Sequence, residues 1–120
     1  MTRILAVDDS PSMREMIRIA LTTAGFVVTE VADGQQALDL ARQDNFDLVL
    51  SDVHMPNMDG IELIRALRAE AAYRYTPILM LTTEASLERK REGKQAGATG
   101  WIVKPFDPPQ LIATLKRVLG

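Results

Sequence analysis

The sequence contains no cysteine, which removes disulfides, thiolate metal centres and cysteine nucleophiles at once. Aromatic residues make up only 5% and include a single tryptophan, Trp101, too few to build stacking platforms for single-stranded nucleic acid. Basic charge is not in surplus either. Fourteen Lys and Arg stand against 16 Asp and Glu, a net charge of −2, whereas proteins held by nucleic-acid phosphates usually carry a positive excess. No apolar run approaches the roughly 20 residues that span a bilayer. The opening stretch Met1-Thr2-Arg3-Ile4-Leu5-Ala6-Val7-Asp8-Asp9 meets charge too early for a signal peptide. These absences lead to the expectation of a cytoplasmic protein with neither a membrane nor a nucleic acid as partner.

What is present is an ordinary globular composition: 120 residues, 47% of them hydrophobic, enough for one core and hence a single domain over residues 1–120 with no output domain. No internal repeat, linker or low-complexity stretch interrupts it. Short aliphatic or β-branched runs at Ile4–Val7, Phe26–Val31, Phe46–Leu50, Pro77–Leu81 and Trp101–Val103 mostly lack polar alternation. That pattern predicts strands buried on both faces, as in a parallel sheet.

Between the runs lie segments of helical periodicity with recognisable ends. Ser10-Pro11 reads as an N-cap followed by proline in the first turn, Met13, Ile17, Ala20 and Leu21 form a stripe, and Gly25 is a stop. Asp33-Gly34-Gln35-Gln36 and Asp59-Gly60-Ile61-Glu62 each resemble a capping box. Asp107-Pro108-Pro109 opens the last helix, which carries Leu111, Ile112, Leu115, Val118 and Leu119. Ser86–Ala96 is the weakest helix, with Leu87 followed by Arg89, Lys90, Arg91 and Lys94, and with Gly93 in its interior at a cost of about 1 kcal/mol relative to Ala. Strand and helix alternating from end to end predict a doubly wound α/β domain with five parallel strands.

The polar residues fall at the ends of the apolar runs. Asp8-Asp9 follow the first, Ser51-Asp52 the third, Thr82-Thr83 the fourth and Lys104-Pro105 the fifth. In an open parallel sheet the carboxyl ends of the strands share one edge, where ligands bind. Carboxylates gathered there repel one another unless a cation joins them, and an all-oxygen set suits Mg²⁺. With Lys104 and Thr82 facing the same point, the site can hold a transferring phosphoryl group. One carboxylate would then be the nucleophile. Asp52 is the best candidate, alone at a central strand end and opening the loop Val53-His54-Met55-Pro56-Asn57-Met58-Asp59-Gly60, while Asp8 and Asp9 are better placed as metal ligands.

Four motifs in order, Val7-Asp8-Asp9-Ser10, Ser51-Asp52 through Asp59-Gly60, Leu81-Thr82 and Val103-Lys104-Pro105-Phe106, make the chain resemble the receiver domain of bacterial response regulators over essentially its whole length. Ser10-Pro11-Ser12-Met13-Arg14 and Gly97 through Phe106 look most like the stand-alone chemotaxis regulators. The resemblance implies a flavodoxin-like fold with strand order 2-1-3-4-5 and Asp52 as phosphoacceptor. It implies direct Mg²⁺ ligation by Asp9, Asp52 and the backbone carbonyl of His54, with Asp8 acting mainly through water. Lys104 would contact the phosphoryl group ahead of a cis Pro105, and Thr82 and residue 101 would form the switch. His54 and Glu84 occupy the positions that tune dephosphorylation. The implied partners are a histidine kinase and a downstream protein, in the chemotaxis case the flagellar motor switch, with the chain itself a monomer.

Position 101 departs from the family's usual Tyr or Phe, and Arg89-Lys90-Arg91 is unusually basic for the chemotaxis members. That basic stretch reads either as a solvated face interleaved with Glu88 and Glu92 or as a contact for an acidic partner. Other functions compete with the switch. A phosphatase with an aspartyl nucleophile commonly places a second carboxylate two residues on, where this chain has His54. A flavin carrier needs a Ser/Thr/Gly-rich phosphate loop after the first strand, which is lacking. Within the regulator class, a phosphate sink or control of a non-motility pathway stays open.

Overall fold

A computed structural model describes residues 1–120. Strands β1 (Arg3–Val7), β2 (Val27–Val31), β3 (Leu48–Ser51), β4 (Ile78–Thr82) and β5 (Gly100–Val103) alternate with helices α1 (Pro11–Thr23), α2 (Gly34–Gln43), α3 (Gly60–Arg68), α4 (Leu87–Ala96) and α5 (Pro108–Leu119). All pairings are parallel and the order is β2-β1-β3-β4-β5. This is the expected doubly wound, flavodoxin-like sheet.

Successive strand residues point to opposite faces, so each strand feeds two cores. Leu5, Val7, Val49, Ile78 and Met80 pack with Ala37, Leu38 and Ala41 of α2 and Ile61, Leu63, Ile64 and Leu67 of α3. Ile4, Ala6, Leu48, Leu50, Leu79 and Leu81 pack with Ile17 and Leu21 of α1 and Leu111 and Leu115 of α5.

Burial on both faces holds for β3 and β4 throughout and for β1 after Arg3, but not for the edge strands β2 and β5, whose residues are half-buried or exposed. An edge strand has a neighbour on one side only, so its flank stays wet. Phe46 lies outside β3 although it is buried; it packs under the Arg3 guanidinium, 5.0 Å from its centroid. The segment joining α3 to β4 holds a short 3₁₀ turn, Ala71–Tyr73, that periodicity does not reveal.

The helix ends follow the cap chemistry, with one difference. Asp59 and Glu62 form a reciprocal capping box on α3. On α2, Asp33 accepts from the Gln36 N–H, but the Gln36 side chain accepts from the Ala32 N–H instead of closing the box. The second Asp33 carboxylate oxygen accepts from the Asn57 side-chain amide at 3.0 Å, which braces the loop after β3.

Candidate functional site

Strand register places the acidic residues. Val7 of β1 is paired with Ser51 of β3, so Asp8 and Asp52 leave the sheet side by side, and the Asp52 N–H donates to the Val7 carbonyl at 2.9 Å. Carboxylate oxygens of Asp8, Asp9 and Asp52 lie within 4.8 Å of one another. The fifth strand delivers the counter-charge. Lys104 Nζ donates to Asp8 Oδ2 at 2.7 Å and to Asp52 Oδ2 at 3.0 Å. Burial works against its charged form, but the hydrogen bonds and attraction of Asp8 and Asp52 outweigh that and raise its pKa above the ordinary lysine value.

The three carboxylates are not equivalent. Asp8 is 1% exposed, and both its oxygens are taken, Oδ1 by the Ser10 N–H at 2.9 Å and Oδ2 by Lys104. Asp52 is nearly as buried; its Oδ1 accepts from the Val53 N–H at 2.7 Å. Asp9 alone is exposed. Arg14, on the first turn of α1, donates to the Asp8 carbonyl at 2.6 Å and so fixes the corner from which both aspartates project.

The loop after Asp52 is held by α3. A Cβ at Gly60 would collide with the Asp52 carbonyl oxygen and come within 2.9 Å of the Val53 Cα, so only glycine lets the start of α3 sit this close. The Gly60 N–H donates back to the Val53 carbonyl at 2.8 Å. The Lys104–Pro105 peptide bond is cis.

Thr82 is fully buried, and its hydroxyl accepts from the Glu84 N–H at 3.1 Å rather than bonding to the carboxylates. The Glu84 carbonyl accepts the Trp101 indole N–H at 2.8 Å. One residue's backbone therefore joins Thr82 to Trp101. The Glu84 carboxylate accepts from the Ser86 N–H at 3.2 Å and pairs with His54 Nε2 at 3.0 Å. Its pKa is lowered, chiefly by the Ser86 backbone. The indole in turn sits on Gly93, where a Cβ would lie 2.6 Å from the ring.

Sequence reasoning located Asp8, Asp9, Asp52, Thr82, Glu84, Trp101 and Lys104 but assigned no job to Arg14, Gly60 or Gly93. Gly93 carried a signal, an apparent helix breaker inside a helix. Arg14 carried none, because its partner is a backbone carbonyl.

Carboxylates at two strand ends, a lysine bridging them from a third, and a threonine between make a receiver-type site. A match of residues 4–116 to the response regulator receiver domain agrees, and the chain belongs to that family. Within it, the chain is 40% identical over 117 residues to the chemotaxis protein CheY of Pseudomonas aeruginosa, covering 97% of this chain and 94% of the relative. It is 42% identical over 118 residues to chemotaxis protein CheY-3 of Vibrio cholerae, covering 98% and 88%. Among solved structures, Vibrio cholerae CheY4 superposes with a TM-score of 0.94 at 53% identity over 98% of both chains. The receiver domain of a Pseudomonas aeruginosa sensor histidine kinase does so with a TM-score of 0.93 at 35% identity, covering 99% of this chain and 98% of that one; it holds a magnesium ion in its active-site cleft. No helix of this chain is long and apolar enough to cross a membrane.

Proposed function

We propose that this protein is a phosphorylation-driven switch of a two-component system, with Asp52 accepting a phosphoryl group from a histidine kinase. The observation that carries this reading is the Lys104 ammonium shared between Asp8 and Asp52. A carboxylate cluster built around one partly accessible nucleophile, with charge compensation already in place, is equipped for an acyl phosphate.

The donor set fits Mg²⁺: it is all oxygen, and the exposed Asp9 carboxylate is engaged by no protein donor. Asp9, Asp52 and the His54 carbonyl would hold the ion directly, while Asp8, the most deeply buried of the three carboxylates, would act through water. Bound there, Mg²⁺ would offset the charge on the transferring phosphoryl oxygens. An Asp52 oxygen bonds to phosphorus as the bond to the donor imidazole nitrogen breaks. Lys104 then shifts its ammonium toward the phosphoryl group, and Thr82 turns its hydroxyl from the Glu84 N–H to a phosphoryl oxygen. That turn releases one of the two bonds joining Thr82 to Trp101, which is how the state would reach the α4–β5–α5 surface. His54 and Glu84, paired beside the site, would set water access and hence the lifetime of the active form.

The same reading makes the protein a monomer in the cytoplasm whose output acts on a protein of the flagellar motor switch. The test is incubation with acetyl phosphate and Mg²⁺, followed by intact mass. One phosphoryl group is expected on the native chain and none on Asp52→Asn or in excess EDTA. Equal labelling of the Asn variant would reject Asp52 as acceptor. A flagellar-switch peptide that binds phosphorylated and unphosphorylated forms equally would remove the motor role while leaving the phosphoacceptor intact.

A further inference from the structure

Between α4 and β5 runs a groove of about 340 Å³ lined by Lys90, Lys94, Ala98, Thr99, Gly100 and Trp101. Strand β5 is the edge of the sheet, so no further strand covers this side. The basic stretch noted in the sequence divides here into two parts. Arg89 is half-buried and paired with Glu92 at 3.0 Å and Asp59 at 3.6 Å. Lys90 and Lys94 face the groove and have no ion-pair partner within the chain.

Helical spacing keeps those two lysines uncompensated. Residues three and four away from Lys90 are Ser86, Leu87, Gly93 and Lys94; those around Lys94 are Lys90, Arg91, Gly97 and Ala98. None is acidic, and the two lysines are themselves one turn apart, a like-charge pair that weakens a helix. The helix keeps this unfavourable pair although its only buried residue is Gly93. The groove is also linked to Thr82 at the end of β4. Trp101 reaches the Thr82 hydroxyl through the backbone of Glu84, in two hydrogen bonds of 2.8 and 3.1 Å.

We infer that this groove binds an acidic protein segment, two of its carboxylates held by Lys90 and Lys94 beside the indole of Trp101. The inference rests on the switch reading for the idea that this surface is the output, and it adds the partner's chemistry. A protein segment is favoured over nucleic acid because the chain is net negative and the groove offers one aromatic ring and two ammonium groups. Carboxylates on neighbouring turns of a helix, about 6 Å apart, match the spacing of the two lysines.

The probe is an alanine-based helical peptide carrying two Glu four residues apart with Leu between them, compared with the same peptide carrying Gln at both positions. Binding is read by calorimetry and by Trp101 fluorescence, with and without beryllofluoride and Mg²⁺. The Glu peptide is expected to bind about fivefold more tightly than the Gln peptide, with the advantage shrinking as salt rises. Lys90→Gln/Lys94→Gln removes the advantage, and Lys90→Glu/Lys94→Glu transfers it to a peptide with Lys in place of Glu. Equal binding of Glu and Gln peptides overturns the inference, as does tighter binding of a single-stranded oligonucleotide of the same charge. Phosphorylation of the double-Gln variant by acetyl phosphate should be unchanged, which separates the two failures. A native chain that takes no phosphoryl group defeats the switch reading, whereas loss of charge preference in a chain that does take one defeats only the groove.

Discussion

Helices α3 and α4 lie next to each other on the same face of the sheet, yet they are attached by different means. Helix α3 buries Gly60, Ile61, Leu63, Ile64 and Leu67, more than half its length, and starts with a closed capping box. Helix α4 buries only Gly93, leaves Leu87 62% exposed, and is held by the Ser86 cap, the Arg89–Asp59 pair and the Trp101 ring. The Arg68 guanidinium ties the two together by donating to the Gly97 carbonyl at the end of α4; burial lowers its pKa. Apolar burial contributes about 1.5–3 kcal/mol per large side chain, whereas an exposed ion pair contributes about 0–1 kcal/mol. The helix that supports Asp52 is therefore fixed by large terms, and helix α4 by small ones that a change at Glu84 or Trp101 can rival.

This contrast can be broken by mutation. Ile64→Ala on α3 should cost about 2–5 kcal/mol in urea unfolding, while Leu87→Ala on α4 should change stability by less than about 0.5 kcal/mol; equal costs would erase the distinction. Gly93→Ala sharpens it. Helix propensity alone favours the substitution by about 1 kcal/mol, but the new Cβ would meet the indole at 2.6 Å. The expected outcome is a net loss of about 1 kcal/mol with a red-shifted Trp101 emission. A gain in stability with unchanged emission would show that the ring does not rest on α4.

The smallest effect expected lies at the amino ends of the central strands, away from the acidic site. There Asp44, at the end of α2, accepts two hydrogen bonds of 2.6 Å from Arg3, and its pKa is lowered to about 2 from 3.8. A depressed folded-state pKa stabilises the protein above the unfolded value, and that contribution disappears as pH falls toward the folded one. The difference in unfolding free energy between the native chain and Asp44→Asn should therefore be constant near neutrality and shrink between about pH 4 and pH 2. A gap that widens on acidification would contradict the pairing. Because Asp44 is exposed, the effect stays small.

Much of this structure is legible from local pattern. The strand runs came within two residues of their ends, and the cap residues Ser10, Asp33, Asp59, Ser86 and Asp107 all accept from the N–H three residues on. Such features are readable because periodicity and capping involve residues within one or two turns. The edge strands misled for a related reason: residues in Val27–Val31 and Gly100–Val103 have strand character whether or not a neighbour covers them, and exposure depends on the rest of the sheet.

Sequence by itself determined the alternation of elements, the placing of Asp8, Asp9, Asp52, Thr82 and Lys104 at strand ends, and the family. The tertiary structure alone decided how those residues divide the work. It closed Asp8 between Ser10 and Lys104 and left Asp9 open. It put Glu84 between Thr82 and Trp101, turned Arg89 toward Asp59, and directed Lys90 and Lys94 into a groove. Each of these outcomes joins residues distant in the chain or chooses which face of a helix meets the sheet. Neither is encoded in any short window; both follow from strand order and from which side chains the two cores bury.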